Sequence, residues 1–182
     1  RQYLISSIID NEYDITTLND LVGSQLVIWD RVLITLSIVD DRIDVGSMLN
    51  YSFVALYEYD GADATEYVSI TLNDTLTKSR VGRYGYTVSS ISESQYGLKA
   101  FLSNSFSIIF DRVNINNFKV YDNRINVGDT ARFIVSGVYE YDGTAWSGTY
   151  TLNDTTTKSI VGKYGYKIES ITDDNYGLKK FI

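Results

Sequence analysis

Along most of the chain, apolar and polar positions alternate with a period of two, the signature of strands with one buried face. Leu33, Thr35, Ser37 and Val39 alternate with Ile34, Leu36 and Ile38 before the acidic turn at Asp40 and Asp41. Phe53, Ala55, Tyr57 and Tyr59 alternate with Val54, Leu56 and Glu58 up to Asp60 and Gly61. Tyr67, Ser69 and Thr71 alternate with Val68, Ile70 and Leu72 up to Asn73 and Asp74. No long window carries a helical period, and the nearest helical candidate, residues 90–97, is too short to stand. The rhythm of short strands and polar turns predicts an all-β chain of immunoglobulin-like β-sandwiches. The turns are built from Asn, Asp and Gly, which tolerate positive φ, and the chain contains no proline.

The pattern is written twice. YEYDG stands at 57–61 and 139–143, TLNDT at 71–75 and 151–155, VGRYGY at 81–86 and VGKYGY at 161–166. YGLKAF at 96–101 returns as YGLKKF at 176–181. The offset is 82 at the first block and 80 at the others, so the first copy carries two extra residues between 61 and 71. A unit of about 80 residues is long enough for a small β-domain, yet buries only about 60–65% of the surface of its unfolded chain, so contact between neighbours should matter. The expected division is 1–30 as a partial repeat, 31–109 as a first sandwich and 110–182 as a second one lacking its final strand. Trp29, Asp30, Arg31 and Val32 correspond to Phe110, Asp111, Arg112 and Val113. Tyr3, Ser6, Ser7, Ile8 and Tyr13 correspond to Tyr86, Ser89, Ser90, Ile91 and Tyr96. Residues 1–30 therefore read as the closing third of a preceding repeat. The repeat positions Tyr57, Val81, Tyr86, Leu98 and Phe101, with Tyr139, Val161, Tyr166, Leu178 and Phe181, are expected in the interior. Gly82 and Gly162 are expected in conformations that a Cβ disfavours.

Composition narrows the function classes. The net charge is −7 over 182 residues, which argues against nucleic acid and against an anionic membrane surface, both of which call for clustered Lys and Arg. No stretch approaches the length of a membrane span. Histidine and cysteine are both absent, which removes His-based triads, Cys nucleophiles and ordinary zinc sites. The remaining carboxylates sit at turns rather than as a pair in one segment, so no enzyme activity is expected. No cofactor is expected except, as a candidate, calcium.

The succession I[WF]DRV, DxRI[DN]VG, tyrosine-rich strands and YGLKxF resembles the tandem immunoglobulin-like repeats of large archaeal and bacterial cell-surface proteins. The resemblance covers nearly the whole chain. It implies an extracellular, scaffold-like part of a filament, pilus, surface layer or adhesin, and carries over no catalytic residues.

Four groups of residues are candidates for binding. Asp40, Asp41 and Asp44, with Asp122, Asn126 and Asp129 in the second copy, offer the oxygen donors that calcium requires, against a reading as solvated turns. Asn50, Asn73 and Asn153 lie in N-x-[ST] sequons, where glycans are the partner, against a reading of Asn-Asp as turn chemistry. Trp146, near Tyr139, Tyr141 and Tyr150, is either a sugar platform or part of a cross-strand aromatic ladder. The fourth is the strand Ser24, Gln25, Leu26, Val27, Ile28 and Trp29. The second copy stops before the counterpart of the apolar run at 106–110. The N-terminal segment carries the matching piece, and inserting it into another copy would bury Leu26 and Ile28 or their alternates. The expectation is self-association into a head-to-tail homopolymer by donor-strand complementation. The alternatives are an adhesin or carbohydrate-binding module, and a fragment of a longer array.

Overall fold

A computed structural model of the chain describes residues 2–3 and 25–182. It is all-β, and the only helical element among the described residues is a 3-10 turn at Thr65–Tyr67. The strands in chain order are β1 (Gln2–Tyr3), β2 (Gln25–Leu26), β3 (Val32–Ile38), β4 (Arg42–Asp44), β5 (Tyr51–Tyr57), β6 (Val68–Leu72), β7 (Gly82–Glu93), β8 (Phe101–Ser103) and β9 (Ser105–Asp111). The second copy contributes β10 (Val113–Val120), β11 (Phe133–Tyr139), β12 (Gly148–Leu152) and β13 (Ile168–Asp173). Residues 90–97, the best helical candidate, end β7 and pass into a turn.

In the first copy, a three-stranded sheet β5-β3-β8 faces a four-stranded sheet β4-β9-β7-β6. Alternate residues of β3 and β5 (Val32, Ile34, Leu36, Ala55 and Tyr57) meet Val68 and Val88 from the opposite sheet in one core, as period-two strands with one buried face must. A second cluster, Leu49, Tyr86, Ile108 and Phe110, fills the other end of the sandwich.

The chain changes sheets between β8 and β9. β8 runs parallel to β3 up to the pair Ile34↔Ser103. The next residue, Asn104, replaces the lost strand with its side chain. Its Oδ1 accepts from Leu36 N at 2.6 Å and its Nδ2 donates to Leu36 O at 3.0 Å. With β3 satisfied, the backbone is released to enter the other sheet. There β9 lies between β7, antiparallel over six pairs from Gly82↔Phe110 to Thr87↔Ser105, and β4, parallel over three.

The second copy repeats the first with three differences. The single extra residue between Val113 and Arg124 is absorbed by a bulge between Ile115 and Asn117. The two extra residues of the first copy belong to the stretch that forms its 3-10 turn. Where Ala64 N bonds Ala55 O in the first copy, Trp146 N bonds Gly137 O in the second. Gly137 and Gly148 stand in place of Ala55 and Val68, and a Cβ on Gly148 would lie 3.0 Å from the indole ring. The same Cβ would also press on the Thr172 backbone, and one on Gly137 would meet Asn114 O at 2.8 Å, so each glycine allows a close backbone approach and Gly148 also leaves room for the indole. Trp146 packs against the core of Val113, Tyr139, Ile171 and Leu178, so it is a core residue and not a sugar platform.

Third, among the described residues no strand occupies the place that β9 takes in the first copy. Residues 162–167 and 124–126, the counterparts of half of β7 and of β4, consequently form no ladder. This corrects one interior expectation. Val81 is half-buried, but Val161 is 87% exposed, and among the described residues no strand pairs with the segment it opens. Tyr57, Tyr86, Tyr139 and Leu178 are buried, and Leu98, Phe101, Tyr166 and Phe181 half-buried. Gly82 and Gly162 are also corrected. Neither has a positive φ; a Cβ at these sites would meet the ring of Tyr84 at 3.3 Å or Tyr164 at 3.2 Å, so the glycines make room for a tyrosine laid over the backbone.

Removing a fully buried aromatic from the β9 wedge should be costly. Phe110→Ala is expected to lower stability by about 3–5 kcal/mol, and Val161→Ala by less than about 0.5 kcal/mol, as read from urea unfolding of the two variants.

Candidate assembly site: an open groove and a repeat joint

Two surfaces of the chain stand out when the copies are compared. The first is a groove of about 530 Å³ in the second copy, lined by Ala131, Arg132, Phe133, Tyr150, Leu152, Asp154 and Thr156. Its counterparts Leu49, Leu72 and Leu76 pack with Ile108 and Phe110 in the first copy. Ile125 at 43%, Val127 at 50% and Tyr164 at 40% exposure stand where Ile43, Val45 and Tyr84 are half-buried. The walls keep several hydrogen bonds and cation–ring contacts of the first copy. Tyr86 Oη donates to Thr75 O at 2.8 Å, and Tyr166 Oη to Thr155 O at 3.1 Å. Tyr84 Oη donates to Arg80 O, and Tyr164 Oη to Ile160 O. Lys78 and Lys158 sit over the rings of Tyr84 and Tyr164 at 5.0 and 4.8 Å. In the first copy, Phe106 stacks on Tyr86 and Phe110 meets Tyr84 edge-on. In the second copy, Tyr166 meets Phe133 instead.

The apolar strand singled out by the sequence lies at the other end of the chain. Ser24 is outside the described residues. Gln25 and Leu26 form β2, and Leu26, Val27, Ile28 and Trp29 are all exposed. β2 pairs with β1 as Gln2↔Leu26 and Tyr3↔Gln25. These pairs correspond to Gly85↔Ser107 and Tyr86↔Phe106 of the β7–β9 ladder, so β1 and β2 reproduce part of that ladder in its own register. In the same register, Val27 and Trp29 correspond to the inward residues Ile108 and Phe110, and Leu26 and Ile28 are the alternates that face away.

The second surface is the joint between the copies. β9 runs into β10 through Asp111 and Arg112. Arg42 crosses from the first copy, its Nη1 3.2 Å from Asp111 Oδ2 and its Nη2 2.6 Å from Asp142 Oδ2. Its guanidinium carbon lies 4.2 Å from the ring centre of Tyr176 and 5.3 Å from that of Tyr139. Asp44 accepts from Lys179 N at 2.9 Å and from Lys180 N at 2.8 Å. Beneath the joint, buried Asp173 accepts from Tyr139 Oη at 2.5 Å and from Tyr176 N at 2.9 Å, holding the aromatic loop. Burial and the bond to Asp173 push the Tyr139 phenol up to about 12. The Arg42 guanidinium and then the Thr144 hydroxyl hold the Asp142 carboxyl down at about 2. Burial pushes the Asp111 carboxyl up, against the N–H groups of Arg112 and Tyr141 and the charge of Arg42.

The calcium candidates are not gathered. Among the described residues no group of three or more Asp or Glu side chains could hold a metal ion. Asp44 is spent on the joint, Asp129 accepts from Asn126 Nδ2, and Asp122 faces Arg132 at 3.8 Å, while Asp40 and Asp41 lie exposed in the β3–β4 turn. The sequon residues Asn50, Asn73 and Asn153 are all exposed. Two of them have structural duties: Asn73 Oδ1 accepts from Thr87 N and Asn153 Oδ1 from Lys167 N, pinning the TLNDT loop to the facing strand. Sequence reasoning missed Arg42, whose partners lie 69 and 100 residues away; only its equivalence to Arg124 in the DxRI[DN]VG block marked it.

No family model, curated protein or solved structure matches the chain. Among the described residues no helix is long and apolar enough to cross a membrane.

The joint carries a pH signature. Asp142 titrates below its unfolded value of about 3.8, so its stabilisation is complete above about pH 4 and is lost as the pH falls through about 2. Asp111, with its raised carboxyl, runs the other way, contributing most at low pH and losing that contribution as the pH rises through its folded value. Asp142→Asn should therefore be less stable than the parent at neutral pH and converge with it toward pH 2, measured as urea midpoints across that range.

Proposed function

We propose that the chain is a structural subunit of an extracellular filament, pilus or surface layer, assembling head to tail by donor-strand complementation. The observation that carries this reading is the groove of the second copy. It keeps the anchoring hydrogen bonds of an occupied site, and no described strand fills it. The proposed occupant is residues 24–29 of another copy, which stand in the repeat where β9 stands. Val27 and Trp29 would take the places of Ile108 and Phe110, burying apolar groups worth about 1.5–3 kcal/mol each. Insertion exchanges the described pairs of β1 with β2 for a ladder patterned on the six pairs of β7 with β9 and the three of β4 with β9. Both free edges of the groove gain partners, which removes the exposed backbone that makes an open sheet sticky. The contact joins different surfaces of identical chains, so it propagates unless its rotation closes a ring.

A chain extended past Ile182 by a copy of residues 103–111 fills its own groove. It should stay monomeric in size-exclusion chromatography and electron microscopy, while the parent forms end-to-end assemblies. Deletion of residues 1–29 should also abolish assembly. Polymers formed equally well by the extended and deleted chains would overturn donor-strand joining, and a parent that remains monomeric while binding a glycan would favour the adhesin reading.

A further inference from the structure

The arginine, carboxylates and rings of the joint within the chain have counterparts split between its two ends. On the first copy, Asp30 holds the position of Asp111. Asp30 Oδ1 accepts from Arg31 N at 2.7 Å and from Tyr59 N at 3.0 Å, as Asp111 Oδ1 accepts from Arg112 N at 2.8 Å and from Tyr141 N at 3.0 Å. Asp60 holds the position of Asp142. Its Oδ1 accepts from Ala62 N at 3.0 Å, as Asp142 Oδ1 accepts from Thr144 N at 3.0 Å. In both Asp111 and Asp142 it is the other carboxylate oxygen that meets Arg42.

The aromatic wall is present as well. Tyr57 and Tyr96 meet edge-on at 5.3 Å and 65°, as Tyr139 and Tyr176 do at 5.1 Å and 74°. Tyr59 and Tyr96 are each 66% exposed, whereas their counterparts Tyr141 and Tyr176, beside Arg42, are 38% and 40% exposed. On the second copy, Arg124 holds the position of Arg42 and is exposed, and it has no ion-pair partner among the described residues.

We infer that Arg124 of one copy docks between Asp30 and Asp60 of the next, against Tyr59 and Tyr96, reproducing across the subunit boundary the joint that Arg42 makes within the chain. The inference rests on the head-to-tail reading above and deepens it by naming the group that fixes the angle and partner of the contact. The occupant is a second copy of this chain, because the receiving site repeats the two carboxylates and the tyrosine rings of the Arg42 site and is continuous with the proposed donor strand: Asp30 follows Trp29 directly. An inserted strand alone leaves the two modules free to turn about it. A guanidinium held by two carboxylates and a ring face is directional, and it repels a mismatched partner.

A charge swap tests this. Arg124→Asp places a third acid opposite Asp30 and Asp60 and should raise the concentration needed for assembly at least about tenfold. Asp60→Arg places two guanidinium groups face to face and should do the same. Mixed one to one, the two variants alternate along the assembly. One joint then sets an acid at position 124 against an arginine at position 60, and the next restores the parental pair, so assembly should return toward the parent threshold. Circular dichroism and melting of each variant verify that it is folded. If Asp60→Arg does not fold, Arg124→Asp and Arg124→Ala, altered at a solvent-exposed side chain, carry the test alone. A parent that assembles with Arg124→Asp assembling at the same threshold overturns the clamp and leaves donor-strand joining standing. A parent that does not assemble overturns both.

Discussion

The structure depends on one strand having both edges paired. β9 lies between β4 and β7, and its backbone groups satisfy theirs. Its inward side chains Ile108 and Phe110 form the second core of the first copy with Leu49 and Tyr86. Where no described strand stands in that place, the same sequence pattern behaves differently. Residues 124–126 and 162–167 carry the residues of strands and form none. A strand is not stable by its own propensity; it needs the partner that takes its hydrogen bonds and the face that buries its alternate side chains. The contrast between Val81 and Val161 is that principle at one position of one repeat.

The joint extends the same dependence from strand to module. β9 belongs to the first copy and runs into β10 of the second, so the two share a backbone continuity that Arg42 then stiffens. A buried arginine is a costly way to hold two domains together, since its desolvation must be offset by several partners at once. Here two carboxylates and the ring of Tyr176 supply them, and Asp44 adds bonds to the backbone of Lys179 and Lys180. What such a device supplies beyond stability is geometry: the guanidinium fits one orientation of the neighbouring module. This gives the abundant tyrosine of the chain a second use beside strand formation.

Much of the repeat vocabulary proves to be local engineering for this arrangement. The TLNDT blocks pin a loop to the facing strand through Asn73 and Asn153, and their Asp74 and Asp154 hold Lys78 and Lys158 over the tyrosines of the VG[RK]YGY blocks. The YGLK blocks close over a buried acid, Glu93 or Asp173, whose carboxylate collects the N–H groups of the turn. The candidate calcium ligands take no part in these duties: Asp44 serves the joint, and the others lie in exposed turns.

The all-β class, the alternating strands of the first copy, the polar turns and the correspondence of the copies were legible in the sequence, because period-two alternation and repeated blocks are local properties of a chain. The likeness of residues 24–29 to 105–110 was legible by the same route, as one more repeated block. Tertiary structure alone decided which repeated residues share an environment. Trp146 packs inward because Val113, Ile171 and Leu178 are brought to it from other segments, with Gly148 leaving room beside the ring. Asn104 substitutes for a strand only because β3 passes beside it. Arg42 finds Asp111 and Asp142 only because β9 carries the chain across to the second copy. Each of these depends on which segments are brought together in space, and a pattern read along one strand contains no information about its neighbour.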